Sequence, residues 1–402
     1  MKSTTITAID IGTSSIKLLV GQKESESPDI TILEKMEIPQ FGVKRGEIYN
    51  PENVSKTLSF LKEKIHKTKG IKIKKAVINI GGSHLFSVKN QGLVSVSRAD
   101  QKISEEDIKR VIQASQVVNL PSNKEILEVI IQEYIINSEG GVKNPLGLEG
   151  IRLEARVLLI CLFSPILENL EKAIYDSGIE IQGIVPSFLA SSRAVLTAQQ
   201  KELGTAVIDI GSGTTSLSVF SEGSLMDFTV FPVGSANITN DIAIGLRTEI
   251  ATAERIKKEF GSFNLSSPKR KTKKGKIEIT EKRISFSNEF LDKIIKSRIS
   301  EIFSEVSKSL KKISKETILP GGIILTGGGS LLPGIVEFAK QKFEFPCYLS
   351  GPKGITGVEE PTFSTCAGLL LSGFEEKEDG GRKSSNKGLG EILKKLFKTF
   401  LP

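Results

Sequence analysis

One short pattern occurs twice in this chain and constrains most of what it can fold into. Ala8-Ile9-Asp10-Ile11-Gly12-Thr13-Ser14-Ser15-Ile16-Lys17-Leu18 aligns without a gap on Val207-Ile208-Asp209-Ile210-Gly211-Ser212-Gly213-Thr214-Thr215-Ser216-Leu217. The two aspartates lie 199 residues apart in a chain of 402. A repeat at half the chain length predicts two lobes built on one plan, each large enough for its own core. Each copy reads as an apolar strand, an Asp at its end, a turn of small residues and a second strand. Alternation at Ile16, Leu18, Val20 and at Thr215, Leu217, Val219 makes that unit a β-hairpin. In a dinucleotide fingerprint a helix follows the turn and a third Gly closes it. Ser216 stands at that third place, so the dinucleotide reading fails.

Small residues let backbone N–H groups approach phosphate oxygens, and hydroxyls add donors. The candidate phosphate ligands are therefore Gly12, Thr13, Ser14 and Ser15 in the first turn, and Gly211, Ser212, Gly213, Thr214 and Thr215 in the second. Asp10 and Asp209 are the candidate catalytic and metal-binding residues, able to hold a hydrated Mg²⁺ or to orient a water. Lys17 is placed to clamp a phosphate of the first turn. A third cluster, Gly327-Gly328-Gly329-Ser330, follows the apolar Ile323-Ile324-Leu325-Thr326 and precedes a predicted helix over Leu332–Phe343. Between a strand and a helix, bare glycines let the backbone lie against a flat nucleoside. In this order the three elements resemble the phosphate-1, phosphate-2 and adenosine motifs of the superfamily of actin, heat-shock chaperones and sugar kinases. That resemblance implies an α/β, actin-like two-lobed ATPase fold with ATP and Mg²⁺ as cofactors.

No run of roughly 18 apolar residues is present, so no bilayer-spanning helix is expected. The first residues run straight into a strand pattern without a signal-peptide core. Cys161, Cys347 and Cys366 stand singly in apolar segments, which predicts buried free thiols of a cytoplasmic protein. His66 and His84 have no catalytic partner nearby in sequence. The net charge of +8 is concentrated in Lys269–Lys276 and the C-terminal tail, without interleaved stacking aromatics, so no nucleic-acid partner is expected.

Between and beyond the turns the chain resembles the bacterial cell-division protein family FtsA. The resemblance covers nearly the whole length and rests on Arg45-Gly46-Glu47-Ile48, Ala76-Val77-Ile78-Asn79-Ile80-Gly81-Gly82, Ile103-Ser104-Glu105-Glu106-Asp107-Ile108 and Asn144-Pro145-Leu146-Gly147-Leu148-Glu149-Gly150-Ile151-Arg152-Leu153-Glu154-Ala155. It implies a first lobe beginning at 1–83, an inserted small α/β domain at 84–163, a return to the first lobe and an interdomain helix at 164–200, and a second lobe at 201–374. Within the insertion the pattern predicts strands at Gly92–Ser97, Ile126–Tyr134 and Arg152–Phe163 and a helix at Glu105–Val118 capped by Ser104. The resemblance extends through Pro232-Val233-Gly234-Ser235-Ala236-Asn237-Ile238-Thr239-Asn240-Asp241-Ile242-Ala243, bringing Gly234 into the nucleotide site, although the family usually has Gly where Ser235 stands. Glu254 and Lys257 share one helix face, and in related ATPases such a pair contacts ribose and adenine. An alternative reading is a surface ion pair. The family often has Lys where Ser15 stands, so Lys17 is expected to compensate. Hydrolytic relatives carry a Glu or Gln near the position of Val185, in Ile184–Ser191, where this chain has neither. Tight binding with slow turnover follows, at most a slow ATPase.

After Phe374 the composition becomes polar, which predicts a flexible linker at 375–387. Over 388–402, Leu389, Ile392, Leu393, Leu396, Phe397 and Phe400 step by three and four, with Lys394, Lys395 and Lys398 on the flanks. A basic amphipathic helix this short needs a surface to order against, and an anionic membrane supplies one. The family implies a peripheral protein on the cytoplasmic face of the inner membrane at the division septum. Its implied partners are further copies of itself in filaments, the C-terminal peptide of the tubulin-like FtsZ, the anionic membrane, and other division proteins through the inserted domain. A PilM-like scaffold of pilus assembly shares the turns and the small domain. A small-molecule kinase of the same superfamily would need an acceptor pocket with a catalytic base, and no such carboxylate stands out beyond Asp10 and Asp209.

Overall fold

The computed structural model describes residues 3–24, 29–263, 276–279, 284–313 and 318–378. Each lobe is built on a five-stranded sheet, and the two sheets share one order. In the first, Ser3–Ile11, Ser15–Glu24 and Ile30–Pro39 form an antiparallel meander, and Lys75–Ile80 and then Glu180–Pro186 add in parallel beside Ser3–Ile11. In the second, Thr205–Ile210, Thr215–Ser221 and Ser224–Phe231 form the meander, with Ile323–Thr326 and Cys347–Leu349 added in parallel. The hairpin registers match as well: Ile11 faces Ile16 and Ile210 faces Thr215, so the two turns close at equivalent residues.

The helices follow the apolar periodicity. Pro51–Lys69 buries Val54, Leu58, Leu61 and Ile65 on one stripe, starts at the Asn50 side chain and ends at Gly70 in the left-handed conformation. In the second lobe Asn288–Ile313 buries Leu291, Ile295, Ile299, Ile302, Val306 and Leu310 against the sheet. The helix expected over Leu332–Phe343 starts later, at Ile335, after a 3₁₀ turn over Gly328–Leu331. Pro333 holds Leu332 extended, and Gly334 takes a positive φ of 84°, so the chain turns before it can become helical.

The inserted domain is an antiparallel sheet of Phe86–Ser95, Arg152–Phe163, Lys124–Ile136 and Glu139–Val142 with the helix Glu105–Ser115 across it. The first strand starts earlier than Gly92, and Gly92 itself lies under the helix: a Cβ there would sit 2.3 Å from the Val111 carbonyl. The helix stops at Ser115 rather than Val118 because Asn90 Nδ2 donates to the carbonyls of Ser115 and Val117. Ser104 and Asp107 form a capping box at its start. Arg152–Phe163 is buried on both faces, which accounts for its near-continuous apolar run. Leu153, Ala155, Val157, Leu159 and Cys161 build the small domain's core, while Leu158, Ile160 and Leu162 join that of the first lobe.

The end of the described chain differs from the expected plan. From Ile355 onward it returns to the first lobe, where Ile355, Val358, Phe363, Cys366, Leu369, Leu370 and Phe374 enter the core. The helix Ser364–Glu378 packs there on Ser187–Val195, so the segment placed in the second lobe up to 374 in fact closes the first, and residues 375–378 are helix rather than linker. Arg193 extends this packing by pairing with Glu375 at 3.4 Å and by donating to the Ser372 hydroxyl. The linker from 379, the amphipathic segment 388–402 and the basic run up to 275 lie outside the described residues. No helix among those described is long and apolar enough to cross a membrane.

Gly368 sits where the two helices touch: a Cβ there would lie 1.7 Å from the Ala190 carbonyl oxygen. Replacing it forces two buried backbones apart. Gly368→Ala should therefore lose about 3 kcal/mol of unfolding free energy in urea; a loss below about 0.5 kcal/mol would mean that this crossing is not tight.

Candidate functional site

The two hairpin turns meet tip to tip in a cleft of about 1260 Å³ between the lobes. Gly12 N–H donates to the Ser15 carbonyl at 3.0 Å, and Gly211 N–H to the Thr214 carbonyl at 2.9 Å, so the turns have one internal bond in common. A Cβ on Gly213 would lie 2.5 Å from Thr13 Oγ1 and 3.0 Å from the Cα of Arg45. Only a glycine permits that approach. The Thr13 hydroxyl accepts from Gly46 N–H at 3.0 Å, which brings the turn between the short strands Val43–Lys44 and Glu47–Ile48 onto the same junction.

Asp10 and Asp209 stand at the ends of the paired central strands. Burial pushes the Asp10 carboxyl above its ordinary pKa, against the pull of Lys17, its cross-strand neighbour. Burial likewise pushes Asp209 up to about 6, despite hydrogen bonds from Ser191 and Thr365, and the charge of Asp10 adds to the rise. Gly327 closes over it: a Cβ there would lie 2.2 Å from Asp209 Oδ1. Two buried carboxylates, of which Asp10 raises the cost of ionising Asp209, make a place where a divalent cation is electrostatically favoured. Lys17 Nζ lies 3.3 Å from Ser15 Oγ and 3.7 Å from Glu37, and Ser15 Oγ donates to Glu37 at 2.7 Å.

At the other end of the cleft, Thr239 Oγ1 and Lys257 Nζ both donate to Glu254 Oε2. Lys257 Nζ also donates to the Ser235 carbonyl at 3.1 Å and to Thr239 Oγ1 at 2.8 Å. Burial works against the Glu254 carboxylate, but these donors outweigh it and hold its pKa below the usual range; burial lowers that of Lys257. The pair is thus a partly buried network rather than a surface ion pair, and the three protons of Lys257 are all engaged within it. Around it Ile250, Ala251, Leu332 and Pro333 give the cleft an apolar wall.

Most of the site residues expected from sequence line this cleft: Asp10, Gly12 to Ser15, Lys17, Asp209, Gly211 to Thr214, Glu254, Lys257 and Gly327 to Gly329. Three stand behind the wall. The Thr215 hydroxyl is buried and donates to the Val233 carbonyl, and the Ser330 hydroxyl donates to the Gly327 carbonyl. Gly234 abuts the second turn, where a Cβ would meet the carbonyls of Ser212 and Gly211 at 2.5 and 2.7 Å. Of the segment 184–191 only Ser187 and Phe188 reach the cleft; Val185 is buried and contributes no polar atom there.

Sequence reasoning missed Gln40, Asn79 and Ser187. Asn79 Oδ1 accepts from Ile11 N–H at 2.7 Å, and Asn79 Nδ2 donates to Ser187 Oγ at 3.0 Å, tying the first turn's strand to the helix Ser187–Val195. From the same helix Ser192 Oγ meets Ser218 Oγ of the second lobe at 2.8 Å, and Phe188 stacks on Phe228 with centroids 4.0 Å apart. Asn79 lies inside a quoted family segment, but nothing local distinguishes it from a strand-end turn residue.

Twin sheets of one order joined over a cleft between their central hairpin turns define the actin-like class. Solved structures share the fold: a chain of the PilM–PilN type IV pilus biogenesis complex has a TM-score of 0.63 at 16% identity, covering 92% of this chain and 98% of that one. MreB5 of Spiroplasma citri bound to ADP has 0.53 at 14%, covering 94% and 99%. Within the class, residues 206–368 match the family described as cell division protein FtsA, and residues 82–161 match the SHS2 domain inserted in FtsA. The cell division protein FtsA of Pseudomonas aeruginosa is 33% identical over 93% of this chain and 90% of its own length. That of Neisseria meningitidis serogroup B is 33% identical over 97% and 96%, and that of Bacillus subtilis 32% over 97% and 88%. The chain belongs to the FtsA family of cell division proteins.

Asp209 makes stability depend on pH. A carboxyl at 3.8 in the unfolded chain and about 6 in the folded one stabilises fully below pH 3.8 and loses that contribution as pH rises through about 6. Between those limits wild type should lose on the order of 2 kcal/mol relative to Asp209→Asn in urea denaturation without nucleotide. A difference that stays flat from pH 4 to 7 would contradict this picture of the site.

Proposed function

We propose that the cleft binds ATP, with Gly12 to Ser15 and Gly211 to Thr214 on its phosphates. Asp10 and Asp209 would hold Mg²⁺ through water, and the ion would supply positive charge against the phosphates. The supporting observation is the tip-to-tip meeting of the two turns beside the two buried acids. The small and hydroxyl-bearing residues that line the cleft at Gly12 to Ser15 and Gly211 to Thr214 fit a ligand presenting many oxygens, and the raised pKa values fit a cation. Lys17 stands in for the lysine absent at Ser15, and Glu254 takes the ribose side while Lys257 braces it. The lining carboxylates are Asp10, Glu37, Asp209 and Glu254. None comes from the segment around Val185, which supports slow turnover.

In this reading nucleotide is a conformational ligand. Closing the lobes around it changes the surfaces available for assembly, so that ATP-bound copies polymerise. The protein then tethers FtsZ filaments to the cytoplasmic face of the inner membrane at the septum, gripping the FtsZ C-terminal peptide with the second lobe's outer part and reaching the bilayer through 388–402. Three lysines at an anionic surface contribute roughly 1 kcal/mol each, beside burial of the apolar stripe. Family membership and the pattern of the tail both favour this reading over a pilus scaffold.

The test combines purified protein, Mg-ATP, anionic vesicles and FtsZ, with and without residues 388–402. FtsZ should co-sediment with vesicles only when ATP and the tail are both present, and phosphate release should stay well below the roughly 1–100 per second of kinases. Recruitment by the tailless chain would defeat the adaptor reading; release at tens per second would defeat slow turnover.

A further inference from the structure

The two turns are held open in different ways, and the difference singles out one side chain. In the second lobe the carbonyls of Gly211 and Ser212 accept from the backbone N–H groups of Ser235 and Ala236, both at 2.9 Å, at the start of the helix Ser235–Leu246. The matching carbonyls of the first lobe are those of Gly12 and Thr13. Among the described residues no helix start meets them. Instead Gln40 Nε2 donates to both, at 2.8 Å and 3.0 Å, and Gln40 N–H donates to the Ser14 carbonyl at 3.2 Å. Gln40 is 3% exposed and follows directly on the strand Ile30–Pro39.

The geometry has a direct consequence. In a trans peptide the carbonyl and the following N–H point opposite ways. Fixing the Gly12 and Thr13 carbonyls on one side therefore fixes the N–H groups of Thr13 and Ser14 on the other. The Ser235 and Ala236 amides do the same for Ser212 and Gly213. An aimed pair of N–H groups is what an anion nest requires.

We propose that Gln40 is the positioning residue of the first phosphate turn: its one amide performs for that turn what two backbone N–H groups of a helix start perform for the second. Its orientation follows from its partners, since a reversed amide would set oxygen against two carbonyls. The proposal rests on the reading of the cleft as a nucleotide site and adds which group shapes it. It also makes the two turns unequal. The second is held by backbone N–H groups, which every residue but proline keeps, and the first depends on a single side chain.

The experiment compares ATP and adenosine on the full chain, by titration and by competition. Gln40→Met keeps the length of the side chain and removes both donors. It should weaken ATP at least tenfold and leave adenosine within twofold, since adenosine has no phosphate for the turn to meet. A residue that merely fills space would leave ATP binding unchanged, or would weaken both ligands together; either result overturns the proposal. Should Gln40→Met fail to fold, Gln40→Glu keeps size and polarity, reverses the hydrogen-bond sense, and carries the same pair of measurements. Failure of wild type to bind ATP would instead defeat the reading of the cleft.

Discussion

The close approach of Gly213 to Thr13 governs the geometry of everything around it. At that point the tips of two hairpins from different lobes are in van der Waals contact, with the backbone of Arg45 filling the third side. Both turns belong to the central strands of their sheets, so the lobes cannot shift without changing this contact. Each turn begins beside a buried acid, and the charge of Asp10 raises the cost of ionising Asp209. On the proposed reading of the cleft as an ATP site, a ligand with many oxygens and a cation would meet the turn amides and the buried acids together.

Other contacts carry that junction outward. The helix Ser187–Val195 is tied through Asn79 to the first turn's strand and through Ser191 to Asp209, and its Ser192 and Phe188 reach the second lobe's hairpin. The helix Ser364–Glu378 lies across it with no room for a side chain at Gly368. The inserted domain leans on the same region: Ser87 Oγ donates to Asp227 at 2.6 Å, and Gln132 Nε2 donates to the Leu225 and Met226 carbonyls. A change in lobe angle at the cleft thus has a packed path to the inserted domain.

Much of this was legible in the sequence because it depends on local pattern. The paired hairpins follow from period-two alternation and small turn residues, and the glycine cluster from an apolar strand running into it. The two long inner strands of the inserted domain and its capped helix follow from the same signals, to within a few residues. Its first strand starts six residues before the expected Gly92, and the short strand Glu139–Val142 was not expected. What escaped notice depends on contacts between distant segments. Gln40 meets Gly12 across 28 residues, and Asn79 meets Ser187 across 108. An amide side chain at a strand end reads as a turn residue until the fold sets it against carbonyls. The helix Ser364–Glu378 misled for a related reason: its apolar run is buried nearly all round, which shows burial but not which lobe receives it. Thr215 and Ser330 misled because a hydroxyl beside a phosphate turn can as readily satisfy a carbonyl behind it.

The central claim is that both turns close on the phosphates of one nucleotide. Amide hydrogen exchange with and without Mg-ATP tests it most directly. The account predicts that the amides of residues 12–15 and 211–214 become protected together and over the same range of ATP concentration. Protection confined to one turn, or protection of the two at separate concentrations, would contradict it.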